Sequence, residues 1–213
     1  MFATYTQASA RALENLRSPS HFGWYLIPIL AFIVYVYVVE AERRRWDIFL
    51  AGLAFFGFEF AWEVFNALVL HWSGHAAMWS APADTAYLIL VGLTIEIAMM
   101  FSVAGIIFTK ALPEDKTKKV LRIPNRVLYA LAFAVGCVLV ETLLNNWGAL
   151  VWDYSWWRWP NIWLIIVAYF AGFFGITIFH DLKSMKAKVW ITVGAYAADL
   201  ILVILFVWTL KWV

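Results

Sequence analysis

The chain has 213 residues, of which 64% are hydrophobic and only 14% charged, and its mean hydropathy is +0.77. A soluble domain is about 45–50% apolar and about 25% charged, so a water-facing surface cannot be built from this composition, whereas a bilayer accepts apolar side chains on the outside of a protein. The formal net charge of +2 is scattered along the chain and argues against a nucleic-acid partner.

Residues 1–21 are polar and mixed, with Arg11, Glu14 and Arg17, unlike a cleaved signal peptide. Phe2, Tyr5, Leu13 and Leu16 allow an irregular apolar stripe, so this segment is either an interfacial amphipathic helix or a frayed tail. Six apolar stretches follow, at about 22–40, 47–70, 85–109, 126–150, 161–180 and 189–210. Each is long enough to cross about 30 Å of hydrocarbon at about 1.5 Å per helical residue. The expected fold is therefore all-α, a single polytopic bundle of six transmembrane helices.

Within the first spans, Glu59, Glu63 and Asn66 follow i, i+4, i+7 spacing and share one face of the second helix. Glu59 lies one turn deeper, placed to support Glu63. The loop after it carries His71, Trp72, His75 and Trp79, and Glu96 falls near the middle of the third span. In the fourth span, Glu141 and Asn145 repeat the i, i+4 pairing, Cys137 reads as a small core residue, and Trp147 and Asp153 follow toward the next loop. That loop is dense in tryptophan (Trp152, Trp156, Trp157, Trp159), which an aromatic belt accounts for in part. Asp199 falls near the middle of the sixth span.

Connections at 41–46, 110–125 and 181–188 are basic, while those at 71–84 and 151–160 hold a single basic residue, Arg158. Positive charge marks the cytoplasmic side, so an inner-membrane orientation with both termini outside the cytoplasm is expected. An ungapped shift of 78 residues places Glu63 on Glu141, Trp79 on Trp157 and Pro82 on Pro160, and Leu53-Ala54-Phe55 on Leu131-Ala132-Phe133. This predicts a parallel repeat of about 47–109 and 126–188, with equivalent residues at equal depth.

An ionisable residue inside a span costs roughly 2.5–3.5 kcal/mol on insertion scales, so each is a candidate site. Single residues such as Glu96 or Asp199 serve equally well as interhelical hydrogen-bond partners. Glu63 and Glu141, repeated beside Asn66 and Asn145, point instead to a functional cavity. Carboxylates that meet in a low dielectric cannot all ionise cheaply, so at least one is expected to hold a proton. A held proton beside an apolar cavity suits general-acid chemistry on an apolar substrate. His71 and His75 have metal-ligand spacing, but His21 and His180 do not complete a set with them, so no metal and no cofactor is expected. No phosphate loop, nucleophile elbow or redox cysteine pair is present.

Aromatic residues are 19% of the chain. Aromatic walls can stabilise a carbocation by cation–π attraction of about 2 kcal/mol per desolvated contact. Phe60-Ala61-Trp62-Glu63 in a second helix of a short hydrophobic chain resembles the small integral-membrane terpene cyclases of meroterpenoid and indole-terpenoid pathways. The resemblance implies a metal-independent cyclase with an essential Glu in an early helix, here Glu63, and an essential Asp in a late one, here Asp199. Members of that group are read as seven spans, one more than is found here. The expectation is a membrane cyclase or isomerase that protonates a prenylated or polyprenyl lipid. Glu63 is the acid, Glu59 and Asn66 tune it, Glu141 with Asn145 is its partner or the terminating base, and Trp62, Trp147 and Trp157 are cavity walls. The alternatives are a non-enzymatic carrier or binding protein for a lipid, pigment or small solute, or a small subunit of a larger membrane complex.

Overall fold

The structure is a computed structural model that describes residues 5–20, 22–120 and 122–213. Among the described residues seven α-helices run in chain order: α1 Gln7–Asn15, α2 Leu26–Glu42, α3 Trp46–Ser73, α4 Ile95–Ala111, α5 Asn125–Asn146, α6 Trp163–Asp181 and α7 Met185–Leu202. A π-helical stretch, Val203–Thr209, continues α7. Four of these are long and apolar enough to cross a membrane: α3, α5, α6 and α7 with its continuation. The α2 and α4 helices have 17 residues each, about 25 Å of rise.

The sequence predicts a third span over 85–109, but α4 begins only at Ile95, where Thr94 caps it by accepting a bond from Ile97 N at 3.2 Å. The preceding apolar run folds instead as a small antiparallel hairpin, β1 Leu88–Leu90 with β2 Leu93–Thr94. A second hairpin, β3 Lys119–Val120 with β4 Ile123–Pro124, precedes α5. Neither was expected in an all-helical chain. Periodicity cannot distinguish a short buried strand from a helical turn, and the first hairpin is selected by its packing. Leu88, Leu90 and Leu93 are almost fully buried.

The segment 1–21 is helical where it is described: α1 is capped by Thr6 and buries Ser9 and Ala12. Phe2 and His21 lie outside the described residues. Thr6 N donates to His75 O and Ser9 Oγ bonds Ser80 Oγ, so α1 lies on the 74–94 loop. That loop also meets the 147–162 loop, through paired backbone bonds between Ser80 and Val151 and through Tyr154 Oη to Ala76 O. Both tryptophan-rich loops therefore occupy one end of the bundle. The basic connections gather at the other end, where Arg45 and Lys110 hold buried Glu40 at 2.8 Å each, and Asp181 receives Arg126 at 3.0 Å and Lys116 at 3.1 Å.

Between these ends the core is aromatic. Phe173 stacks on Phe55 at 4.8 Å and packs against Phe108 at 4.9 Å, joining α3, α4 and α6. Gly105 lets α4 approach α3 closely, because a Cβ there would lie 2.8 Å from Ala51 O.

Candidate functional site

Three turns of α3 carry Glu59, Glu63 and Asn66 toward the Trp-rich end, and Gly74, left-handed at φ 58°, closes the helix. Asn66 is fully buried and grips the loop backbone twice: its Nδ2 donates to Trp79 O at 2.8 Å and its Oδ1 accepts from Trp79 N at 3.2 Å. This fixes the Trp79 ring so that Nε1 donates to both Glu63 oxygens, at 3.1 and 3.0 Å. Gly92, in the hairpin turn, lies against the same ring, and a Cβ there would fall 2.4 Å from Trp79 Cδ1.

From the other side, α5 presents Glu141, and the Tyr169 hydroxyl of α6 donates to its Oε1. Glu63 and Glu141 both line a cavity of about 420 Å³, in the range of small-molecule sites. Its walls are apolar and aromatic: Phe101, Phe133, Tyr169 and Trp79 are among them. Met100 of α4 and Val140 of α5 form its rim and are each 42% exposed, so the cavity opens sideways between those two helices. A smaller adjoining pocket of about 40 Å³ brings Glu59, Glu63 and Glu141 together with Trp62 and Trp157. Trp157 stacks on Trp79 at 5.8 Å between ring centres.

Other residues singled out from the sequence go elsewhere. Trp147 is 75% exposed and lines neither pocket. Asn145 donates to Leu150 O at 3.1 Å and ties the turn after α5. Asp153 accepts from Thr6 Oγ1 at 2.8 Å and fastens α1 to the loop. Asp199 is buried beside Gly57 at the α3–α7 contact, with Oδ1 lacking a partner among the described residues, and lines neither pocket. Glu96 is in the first turn of α4, not mid-span, and accepts from Tyr25, Thr85 and Ala86 N. His71 stacks on Trp212 and His75 packs edge-on against Tyr154. Among the described residues no three His, Cys, Asp or Glu side chains converge as a metal site.

Sequence reasoning alone does not mark Tyr169 or Trp79 as a site residue. For Trp79 a signal existed, its match to Trp157 at the same 78-residue shift that pairs the two glutamates. Tyr169 sits in an apolar run and carries no such mark.

A family profile described as an uncharacterized membrane protein family matches residues 6–208. The chain belongs to this family. A relative from Archaeoglobus fulgidus, described as an uncharacterized protein, is 40% identical over 209 residues, covering 98% of this chain and 99% of the relative. No solved structure matches. Every carboxylate, aromatic and amide of the site lies within the matched range. The protein is thus a multi-pass α-helical membrane protein.

Proposed function

We propose that this family member is a metal-independent membrane cyclase or isomerase acting by protonation on a prenylated or polyprenyl lipid. One observation carries the reading: two carboxylates, each held by an aromatic donor, face one apolar cavity that opens sideways between α4 and α5. Glu63 is the general acid. Its proton adds to one carbon of a terminal alkene, whose π electron pair forms the new C–H bond and leaves a carbocation on the neighbouring carbon. A second alkene of the same chain attacks that cation and closes the ring. Glu141 then removes a proton from the carbon next to the final cation, so the product is an isomer of unchanged mass. Phe101, Phe133, Trp79 and Tyr169 offer ring faces along the cavity, where cation–π attraction lowers the intermediate. Asn66 acts at one remove, by holding Trp79 against Glu63.

The likeness of Phe60-Ala61-Trp62-Glu63 to the small membrane terpene cyclases supports this reading for Glu63. For the second carboxylate we propose Glu141 over Asp199, because Glu141 lines the cavity and Asp199 faces the α3–α7 seam. We further propose that α2 through α7 all cross the membrane, with the Trp-rich end outside the cytoplasm and the basic end inside. Thr6 bonded to His75 and Trp212 stacked on His71 bring both tails to one end, which supports an even number of crossings. The 78-residue repeat is proposed only for the α3 and α5 helices with the loop positions Trp79 and Trp157. Beyond these, the first copy inserts its hairpin and α4 begins at Ile95, whereas α6 begins at Trp163.

The test is to co-express the protein with candidate prenylated substrates and to search lipid extracts for cyclised isomers. Glu63→Gln should lower turnover roughly a hundredfold or more, the scale of losing a general acid, while insertion and folding persist. Chelators should leave turnover unchanged. Wild-type turnover by the Gln variant removes Glu63 from the mechanism, and a complete absence of altered lipids with any substrate overturns the enzymatic reading in favour of a carrier.

A further inference from the structure

A second cavity, of about 630 Å³, lies at the Trp-rich end and shares no lining residue with the carboxylate cavity. It is enclosed by the chain leaving α1, the last turns of α3, and the tail that folds back after the π-helical stretch. That fold-back is fixed by Leu210 N to Leu205 O and Trp212 N to Phe206 O, each 2.8 Å. Among the described residues no acidic side chain lines the cavity, whereas Arg17, Lys211 and His71 do. Neither Arg17 nor Lys211 forms an ion pair among the described residues. Arg17 Nη2 is buried with no hydrogen-bond partner, although a guanidinium has five donors to satisfy.

Both cations follow the end of a helical segment on left-handed backbone, Arg17 at φ 57° and Lys211 at φ 52°. Arg17 N–H donates to Leu88 O at 2.8 Å, which fixes the residue against the hairpin. Burial also pulls the Arg17 guanidinium below its ordinary value, a cost that a bound anion would offset. The remaining wall is apolar, including Leu13, Leu16 and Val91, and Trp208, 65% exposed, forms the outer lip. Cations with unused donors, an apolar wall and a tryptophan at the lip are the features that take an anionic head with an apolar continuation.

We propose that this cavity binds the phosphate group of an anionic amphiphile, with Arg17 and Lys211 on its oxygens and the His71–Trp212 stack and apolar wall along the chain beyond. The site is independent of the carboxylate cavity and of the chemistry assigned there. A free phosphate ion offers the same oxygens, so the experiment separates the two sources.

The full-length protein, purified in detergent, is incubated with dioleoyl phosphatidate or dioleoyl phosphatidylcholine, and retained lipid is counted by native mass spectrometry. Phosphatidate should be retained about tenfold more than phosphatidylcholine, and Arg17→Gln and Lys211→Gln should each lower its retention by about tenfold, the order of one charge-assisted hydrogen bond. Arg17→Lys should recover part of the loss, and Glu63→Gln should retain phosphatidate like the wild type. Should Arg17→Gln fail to fold, Lys211→Gln carries the test, because Lys211 is exposed and makes no side-chain bond that folding needs. Displacement of phosphatidate by millimolar inorganic phosphate identifies the phosphate group alone as the ligand, and resistance to it identifies the whole amphiphile. Equal retention of the two lipids, or retention unchanged in both Gln variants, overturns the proposal.

Discussion

Trp79 is held at three points: its backbone by Asn66, its ring edge by Gly92, and its indole nitrogen by Glu63. A donor aimed at both carboxylate oxygens restricts the Glu63 side chain to one orientation, with the cavity on its open side. Removing the donor and removing the clamp should therefore have different effects. Trp79→Phe keeps the ring contact with Trp157 but frees Glu63, so turnover should fall about tenfold to a hundredfold with little loss of stability. Asn66→Ala leaves the Trp79 backbone groups without partners, and burying such unsatisfied groups costs about 1–3 kcal/mol each. Its thermal midpoint should drop as well as its turnover. Measuring both quantities on both variants checks the assignment, and equal loss of stability in the two would place Trp79 in the scaffold alone. Asn66 was legible as a face-mate of Glu63 from spacing alone. That its partner would be the backbone of residue 79 was not, because side-chain spacing says nothing about which loop folds over a helix end.

At the scale of elements, two glycines of similar sequence context have opposite roles. A Cβ on Gly105 would lie 2.7 Å from Phe55 Cβ and 2.8 Å from Ala51 O, so Gly105→Ala must push α4 off α3. Overpacking of this kind costs about 1–3 kcal/mol, and the variant should melt earlier in detergent. A Cβ on Gly136 meets nothing within 4 Å; that residue is exposed where α5 borders the open side of the carboxylate cavity. Gly136→Ala should melt at the wild-type temperature or above it, since alanine is favoured over glycine in a helix by about 1 kcal/mol. Thermal midpoints of the pair test the cavity directly: if both variants melt early, α5 is packed at Gly136 and the cavity is absent. The hairpin at 88–94 shows the limit of pattern reading at this scale. Its leucines and valine extend the apolar run into α4 without a break, and the stop comes from Thr94 and from the space beside Trp79.

For the whole molecule, the grouping of charges is the strongest guide to orientation. Arg45, Lys110, Lys116 and Arg126 meet Glu40 and Asp181 at one end, and the tryptophan loops with α1 close the other. Cysteines placed at exposed Ser73 and Ser155 should react with an impermeant thiol reagent in intact cells, and one at exposed Thr117 should not. Labelling at Thr117 in sealed cells would reverse the proposed orientation. A cytoplasmic basic end also places both cavities toward the opposite leaflet, so an amphiphile reaching either would enter from that side.

The sequence by itself determined that this is a helical membrane protein, because continuous apolar runs of about 20 residues satisfy their backbone in lipid as helices, whereas barrel strands alternate apolar and polar residues in segments of about 10. It also determined that Glu59, Glu63 and Asn66 share a face, because helical periodicity is a local property of the chain. Only the tertiary structure decided which carboxylates meet. Glu141 arrives beside Glu63 because α5 pairs with α6 and the two loops bond through Ser80 and Val151. Asp199, also buried, is carried to a different seam by the packing of α7 on α3. Tyr169 entered the site, and Trp147 left it, for the same reason: the direction a side chain faces from an apolar helix depends on which neighbours that helix packs against, and no such neighbour is written within its own turn.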